Sequence, residues 1–491
     1  MPVNYSRWPA TQPVTGPSGK TVVATRAAPL TDLAHWWDAL HDAELSSLLC
    51  RAVDRNLDVQ VAIARLQESR AVLAEFVGQS LPDLNASGVL GGGTSNNLAR
   101  GGLVDGPLAA SVNTSSLRQV SQVLGVDTAF ELDIFGHLRR EEQAIAADSA
   151  VANEVRNQVV VTLLGDVTRT YVEVRTLQLR VSIAQENIDA QQHAADLQRQ
   201  RFERGITNEL DSALADREVE TTEATLPALL AELLMAKRNL AVLLGDEPDA
   251  LLPELSAEVA LPRPPAAVDA GLPIELLRRR PDVRQAEAQL IAANARLGVA
   301  TASLYPRVLL TAAGGFESQG FGREPIVNRG IWQVAPAFSW PLFDLGTVDA
   351  NIQAQNQATR AQAANFQKVV LTAIADVDNA LTTYDAERSR LDSLGRAVSD
   401  AQRALDLATQ RYDRGIIDYL NVLDAQRSLY ALLDEQAVSE SIAVSDFVTV
   451  CQSLGGGWEG FPPPAPLSAP LPAILATVRD ATGNSDRPLV Q

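Results

Sequence analysis

Arg201-Phe202-Glu203-Arg204-Gly205-Ile206 and Arg411-Tyr412-Asp413-Arg414-Gly415-Ile416 are two versions of one hexapeptide, 210 positions apart. In each, a long run of helical period ends at Arg-aromatic-acid-Arg-Gly. A second helical run begins a few residues later, with Leu210 matching Leu420 and Arg217 matching Arg427. Glycine just past a helix takes the left-handed conformation that stops it. The chain is therefore expected to contain two helical hairpins bent at the same residues, and to be two tandem copies of one unit.

The runs entering these bends are unusually long. After Gly136 the helical pattern continues for about 65 residues without a proline, on the order of 100 Å at the rise of an α-helix. Val181, Ala184, Ile188 and Ala195 recur at coiled-coil spacing in the first rod. Leu391, Leu394, Val398, Ala401, Leu405, Ala408 and Tyr412 do so without a slip in the second. Pro227 lies inside the first return run, where a kink or break is expected. The returns end at Leu243-Leu244-Gly245 and at Leu454-Gly455, again matching positions.

Ahead of each rod the period changes from helical to two. A helix opening at Ala34-His35-Trp36-Trp37-Asp38, with Leu45, Leu48, Leu49, Val53, Leu57 and Val61 on one side, is expected to run to Ser80 and stop at Leu81-Pro82. From Asp83 apolar and polar residues alternate, and they do so again from Val120 through Leu124, Val126, Phe130 and Leu132, which reads as a hairpin over about 83–132. The second copy repeats this over about 307–341, with Val308, Leu310, Ala312 and Phe316 on one strand and Trp332, Val334, Phe338 and Trp340 on its partner. The expected organisation is an extended arm (1–33), a first repeat (34–245, bend about 202–209), a proline-rich connector (246–273), a second repeat (274–458, bend about 412–419) and a proline-rich, disordered tail (459–491).

Composition narrows the function. Apolar residues make up 46% of the 491 and aromatics only 5%, which suits long helices packed through small aliphatic side chains. A net charge of −19, with lysine only at Lys20, Lys237 and Lys368, argues against nucleic acid as a partner. No run of 18 apolar residues suggests a membrane-crossing helix, whereas β-barrel strands need only about ten alternating residues each. Cys50 and Cys451 allow one disulfide, although two buried thiols is the simpler reading. His35, His41, His137 and His193 lack metal-ligand spacing, and no Gly-rich phosphate loop or catalytic constellation stands out, so neither an enzyme nor a cofactor is expected.

Four strands with one apolar face cannot close a barrel alone. Lipid covering Phe130, Trp332, Phe338 and Trp340, with closure by neighbouring chains, satisfies both the oily face and the free edges; three chains would supply twelve strands. Trp332 and Trp340 as core residues is the plainer alternative, but their alternation with Phe338 suits an interfacial band better. A soluble periplasmic coiled-coil adaptor or scaffold is the rival reading, and it leaves the amphipathic strands unexplained.

From Trp36 to Trp458 the chain resembles the outer-membrane efflux proteins, trimeric exit ducts of the TolC/OprM type. The marks are Trp36-Trp37-Asp38-Ala39-Leu40-His41-Asp42, Leu81-Pro82-Asp83, Phe130-Glu131-Leu132-Asp133-Ile134-Phe135-Gly136, Arg278-Arg279-Arg280-Pro281-Asp282-Val283 and Leu423-Asp424-Ala425-Gln426-Arg427. The resemblance implies a mainly α fold with a small β part: a coiled-coil α-barrel, plus four strands per chain completing a twelve-stranded barrel in the outer membrane of a Gram-negative bacterium. The homotrimer would pass substrates from the periplasm outward, with a periplasmic adaptor protein and, through it, an inner-membrane pump as partners. Arg204, Gly205, Ile206, Arg414, Gly415 and Ile416 would form adaptor-docking tips. In similar proteins a leucine and an aspartate on the second returning helix close the tunnel, which places a gate on Leu420 and Asp424, with Arg427 near enough along the helix to pair with Asp424. Leu214 stands where Asp424 does, so the constriction belongs to the second copy alone. OprM-like members begin their mature chain at a lipid-bearing cysteine after a leader; neither stands near Met1, which leaves two readings open, a chain that lacks its true start or anchorage by the barrel alone.

Overall fold

The computed structural model describes residues 14–15, 21–22, 33–93, 119–205, 207–266, 268, 278–321 and 327–465. Eight α-helices and four long strands make up most of them. In chain order they are α1 (Ala43–Arg55), α2 (Leu57–Gln79), β1 (Asn85–Gly93), β2 (Gln119–Leu132), α3 (His137–Glu203), α4 (Glu209–Glu223), α5 (Leu226–Leu243), α6 (Pro281–Ala302), β3 (Arg307–Phe321), β4 (Val327–Ser339), α7 (Thr347–Asp413) and α8 (Tyr419–Ser453). A short 3₁₀ helix, Leu33–Leu40, precedes α1. The protein is mostly helical, and the two rods α3 and α7 are each 67 residues long.

The chain divides into two compact units. One comprises 1–62, 150–291 and 357–462, the other 63–149, 292–356 and 463–491, so α2, α3, α6 and α7 each contribute to both. The first unit is helical. Its core gathers Trp36, Leu45, Leu49, Leu164, Tyr171, Tyr384 and Phe447, with the Trp36 and Phe447 rings edge to face at 6.0 Å.

The helix expected from Ala34 to Ser80 is interrupted. Asn56 ends α1, its amide donates to the Leu243 carbonyl at 2.9 Å, and its Oδ1 accepts from the Asp58 and Val59 amides. The interruption resets the helical phase, so Leu57 and Val61 are exposed while Val59, Ala62 and Leu66 take the buried side. In the other half Arg280 precedes α6, is itself buried, and donates to the Ser453 carbonyl at 3.0 Å and to Asp282 and Asp376. Burial works against its charge, but these two carboxylates outweigh it and raise the guanidinium pKa above its ordinary value. Asn56 and Arg280 stand 224 positions apart and their carbonyl partners 210, the same offsets that relate the two halves in sequence.

Pro227 acts as expected. It lies in the first turn of α5, where its missing N–H costs nothing, and α4 stops just before it. The coiled-coil stripe of α7 also holds: Leu394 is buried and Leu391, Val398, Ala401, Leu405, Ala408 and Tyr412 are half-buried. Cys50 is exposed and Cys451 buried, both as free thiols, so the expectation of two buried thiols fails at Cys50. The start of the tail is held, since Arg156 donates to the Phe461 carbonyl and, in the other unit, Arg70 to that of Pro464 and Gln67 to that of Ala465. The rest of the tail, like most of the N-terminal arm and the start of the second repeat, lies outside the described residues.

The second unit holds the sheet, antiparallel and in order β1-β2-β3-β4. Its register puts Leu132, Val308 and Phe338 in one cross-strand row, then Phe130, Leu310 and Pro336, then Thr128, Ala312 and Val334, then Val126, Gly314 and Trp332. Because alternate residues point to opposite faces, these rows form one apolar face, and Asp127, Glu131, Thr311 and Gln333 share the other. Gly315 sits where an added Cβ would come within 2.5 Å of the Leu124 carbonyl oxygen, so β2 and β3 meet there through backbone alone.

Candidate functional site

Both helical bends turn on a glycine. At both, the glycine is left-handed: φ is +70° at Gly205 and +71° at Gly415. The Gly205 amide donates to the Phe202 carbonyl and the Gly415 amide to that of Tyr412, each at 2.8 Å, while the Ile416 amide reaches back to Arg411. These are helix-stopping bonds that satisfy the last free carbonyls of each rod. A Cβ at either glycine would meet nothing within 4 Å, so backbone conformation and not space demands the residue. Asn208 then caps α4 by accepting from the Asp211 amide at 2.9 Å. Arg204, Arg414 and Ile416 are exposed, and Ile206 lies outside the described residues.

Immediately behind the bends the two hairpins are joined by polar contacts around a small apolar centre. Ala195 of α3, Ala215 of α4 and Tyr419 of α8 form that centre, with Val219, Tyr412 and Val422 against it. Tyr412 donates to Gln198 Oε1 at 2.9 Å, and the Arg201 guanidinium lies 5.0 Å from the Tyr412 ring centre and 3.6 Å from Asp413. Burial pushes the Tyr419 hydroxyl up to about 12, so it stays protonated in this core.

The proposed gate residues are placed together but paired differently from expectation. Leu420, Asp424 and Arg427 are all exposed on one stretch of α8. Arg427 does not pair with Asp424; its Nε donates to Glu218 Oε1 at 2.7 Å and its Nη2 to Glu218 Oε2, on α4 of the other hairpin. A two-pronged fork onto a carboxylate fixes both direction and distance. The fork raises the Arg427 pKa, with Asp424 contributing only as a nearby charge. Asp424 makes no hydrogen bond among the described residues, so the pairing inferred from helical spacing gives way to a contact between hairpins.

Glu218 and Gln198 are the residues that sequence reasoning missed, and Arg201 was singled out only as part of the bend motif. The signal for Glu218 was present as an asymmetry: the position 210 later is Ser428, so the acid belongs to the first half alone.

A polar recess of about 550 Å³ opens in the same unit between α3, α7 and α8. Its cations are engaged internally, Arg280 by Asp376 and Arg169 by Gln452 and Asp166. Asp446 lies on its wall, its carboxyl raised above the ordinary range by desolvation and by the Glu387 charge.

In the other unit the apolar face of the sheet is uncovered. Trp332 is 83% exposed and Phe338 80%; Trp340, just past β4, is half-covered and donates to the Leu304 carbonyl, and Phe130 is half-buried. Among the described residues no helix is long and apolar enough to cross a membrane. Long helical hairpins joined to a sheet of alternating residues, whose oily face is bare among the described residues, fit a channel subunit of an outer membrane. Comparison with known proteins agrees. The family model for outer membrane efflux proteins matches residues 48–246 and 272–456, and the chain belongs to that family. The pyoverdine export outer membrane protein OpmQ of Pseudomonas aeruginosa is 32% identical over 90% of this chain and 91% of its own length. Nodulation protein T of Rhizobium leguminosarum bv. viciae is 28% identical over 86% and 84%. Among solved structures, the outer-membrane channel OprN superposes with a TM-score of 0.79 at 33% identity, covering 89% of this chain and 95% of that one. The protein is thus an outer-membrane efflux channel with a periplasmic tunnel extension, and not an enzyme or a soluble adaptor.

Proposed function

We propose that three copies of this chain close a twelve-stranded barrel in the outer membrane and a twelve-helix tunnel below it, each copy giving the two tandem units 34–245 and 274–458. The observation that carries this reading is the four-stranded sheet. Within the described residues β1 and β4 each pair on one side only, and the apolar face is bare. Unpaired strand edges in lipid cost several kcal/mol per unsatisfied group, so the sheet needs sister sheets on both sides. Matching ties at Asn56 and Arg280 support the duplication.

In this reading Leu420 and Asp424 line the narrow periplasmic end, and the Arg427–Glu218 fork holds α8 against α4 in the closed state. Asp424 from three copies makes an acidic ring that favours cations over anions. Arg204, Gly205, Ile206, Arg414, Gly415 and Ile416 present the surface for a periplasmic adaptor, which links the duct to an inner-membrane pump. Relatives are named for pyoverdine export, toluene efflux and cation efflux. Such unlike cargoes on one frame support a reading in which the pump chooses the cargo.

Gel mobility of the detergent-extracted protein tests the assembly. A heat-modifiable trimer that requires detergent is expected; a monodisperse single subunit released by salt alone overturns the reading.

A further inference from the structure

The turns that join strands to rods carry apolar residues that the described part of the protomer leaves exposed. After β2 come Ile134 and Phe135, and after β4 come Leu342, Phe343 and Leu345; Phe343 is 87% exposed and Leu345 88%. Phe135 stacks on Tyr305, the residue two before β3, at 4.8 Å, so the patch is continuous along this edge of the unit. These turns are built and rigid. Asp133 accepts from the Leu138 and Arg139 amides, and Asp344 from those of Gly346 and Val348, each capping the rod that follows. Leu345 is also held at φ +56°, one of two non-glycine residues with positive φ among the described residues. A leucine there is strained by about 1 kcal/mol or more where glycine would not be. Its side chain is thus displayed at a cost.

From this we infer that the two turns form an anchor seated in the periplasmic leaflet of the outer membrane, at the boundary between headgroups and acyl chains. Lipid is the occupant for two reasons. Trp332 and Phe338 lie on one face of β4, and Trp340 and Leu342 follow it at once in a tight turn closed by the Leu342 amide on the Trp340 carbonyl at 3.0 Å, so the turn adjoins the face already assigned to lipid. The turn after β2 leaves an inner strand, flanked by β1 and β3, where a copy docking along the β1 or β4 edge does not reach. One occupant able to cover both turns must surround the sheet. The anchor fixes the depth at which the strands sit.

The inference rests on the barrel reading above, and its test separates the two. Cys50→Ser removes the exposed thiol; Ile134→Cys, Leu345→Cys, Phe338→Cys and Gln333→Cys are then made singly in the full chain, labelled with bimane and reconstituted as assembled channel in phosphatidylethanolamine–phosphatidylcholine vesicles. Spin-labelled lipid bearing its quencher near the headgroup is expected to quench the Ile134 and Leu345 probes at least threefold more than aqueous iodide does. The Phe338 probe should respond to lipid quenchers deeper in the chain, and the Gln333 probe only to iodide. If the Phe338 probe ignores lipid, the barrel reading fails. If it responds while both turn probes are quenched by iodide, or by neither agent until the assembly is dissociated, the anchor is refuted in favour of water or a sister subunit. Ile134→Cys leaves the strained position untouched, so a folding defect at Leu345 does not remove the test.

Discussion

Glu218→Gln removes the charge that Arg427 grips while keeping the shape of the side chain, and it separates two accounts of how the duct stays shut. In the structure the bond lies between hairpins. Glu218 is 8% exposed on its side chain and Arg427 45%, so one partner is desolvated and the other half wet. Hydrogen bonds to charged groups contribute about 1.5–3 kcal/mol, and the exposure of Arg427 reduces this to about 1–2 kcal/mol per fork. That is roughly a tenfold shift toward the open tip per protomer. Three forks released together in a trimer shift it by a hundredfold or more, on the order of 3–6 kcal/mol.

The substitutions are then ordered. Arg427→Ala acts most strongly, because it leaves the buried Glu218 with only the longer, 3.8 Å contact of Arg217 as a counter-charge. Glu218→Gln follows, and Asp424→Ala comes last, since Asp424 touches Arg427 only through space. Closed-state conductance in planar bilayers and sensitivity of cells to a bulky antibiotic read the order directly. A double-mutant cycle between Glu218→Ala and Arg427→Ala is expected to give a coupling of about 1–2 kcal/mol in tip opening. Leakage from Asp424→Ala equal to that from Arg427→Ala, with Glu218→Gln silent, would refute the reasoning and return Arg427 to its helical neighbour.

Gly415→Ala places a Cβ in open space but on a left-handed backbone, so it is expected to destabilise the bend by about 1 kcal/mol; faster hydrogen exchange confined to 411–419 checks this. Arg280→Ala removes the donor of the Ser453 carbonyl and leaves Asp376 and Asp282 unpaired but half-exposed, a loss on the order of 1–3 kcal/mol; the thermal midpoint should fall more than for Asn56→Ala, which breaks a neutral tie. For Asp446 the folded-state pKa is raised, so the folded state binds more protons than the unfolded chain, and stability is lost as pH rises from the ordinary carboxylate range through the raised value. Asp446→Asn should therefore raise the denaturation midpoint at neutral pH and leave it unchanged at pH about 3, below the ordinary carboxylate pKa.

Period and punctuation were legible. The alternation of Val308 to Phe316 and of Trp332 to Phe338 reads as strand because one face must be oily, and Gly205 and Gly415 read as stops because few residues tolerate positive φ. The interruption at Asn56 was not, because the apolar stripe continues through Leu57 and Val61 as if nothing intervened. Asn56 caps the next helix locally through Asp58 and Val59, but its tie to the carbonyl of Leu243, 187 residues away, has no trace in the local pattern. Arg427 illustrates the same gap from the other side. Spacing along one helix offers Asp424 at three residues, and no rule confined to a single helix reveals that α4 brings Glu218 closer.

What a lone protomer leaves bare follows a physical division. Residues that hold the hairpins to each other, Tyr412, Arg201, Glu218 and Arg427, have partners within the chain. Leu420, Trp332 and Phe338 are exposed although they are among the large apolar residues the chain could most gain by covering. A contiguous exposed apolar patch, such as the one around Trp332 and Phe338, marks a surface that something else covers; in the proposed assembly the candidates are a sister strand and lipid, with a sister tip for Leu420. In the proposed trimer Leu420, Asp424 and the barrel face are completed by sister copies, whereas the Arg427–Glu218 fork is complete in each copy. Loosening one fork should weaken closure in that copy without dissolving the ring, so trimers of mixed wild-type and Glu218→Gln subunits are expected to leak in steps that count the variant subunits, and a single all-or-none conductance would show instead that the three tips move as one.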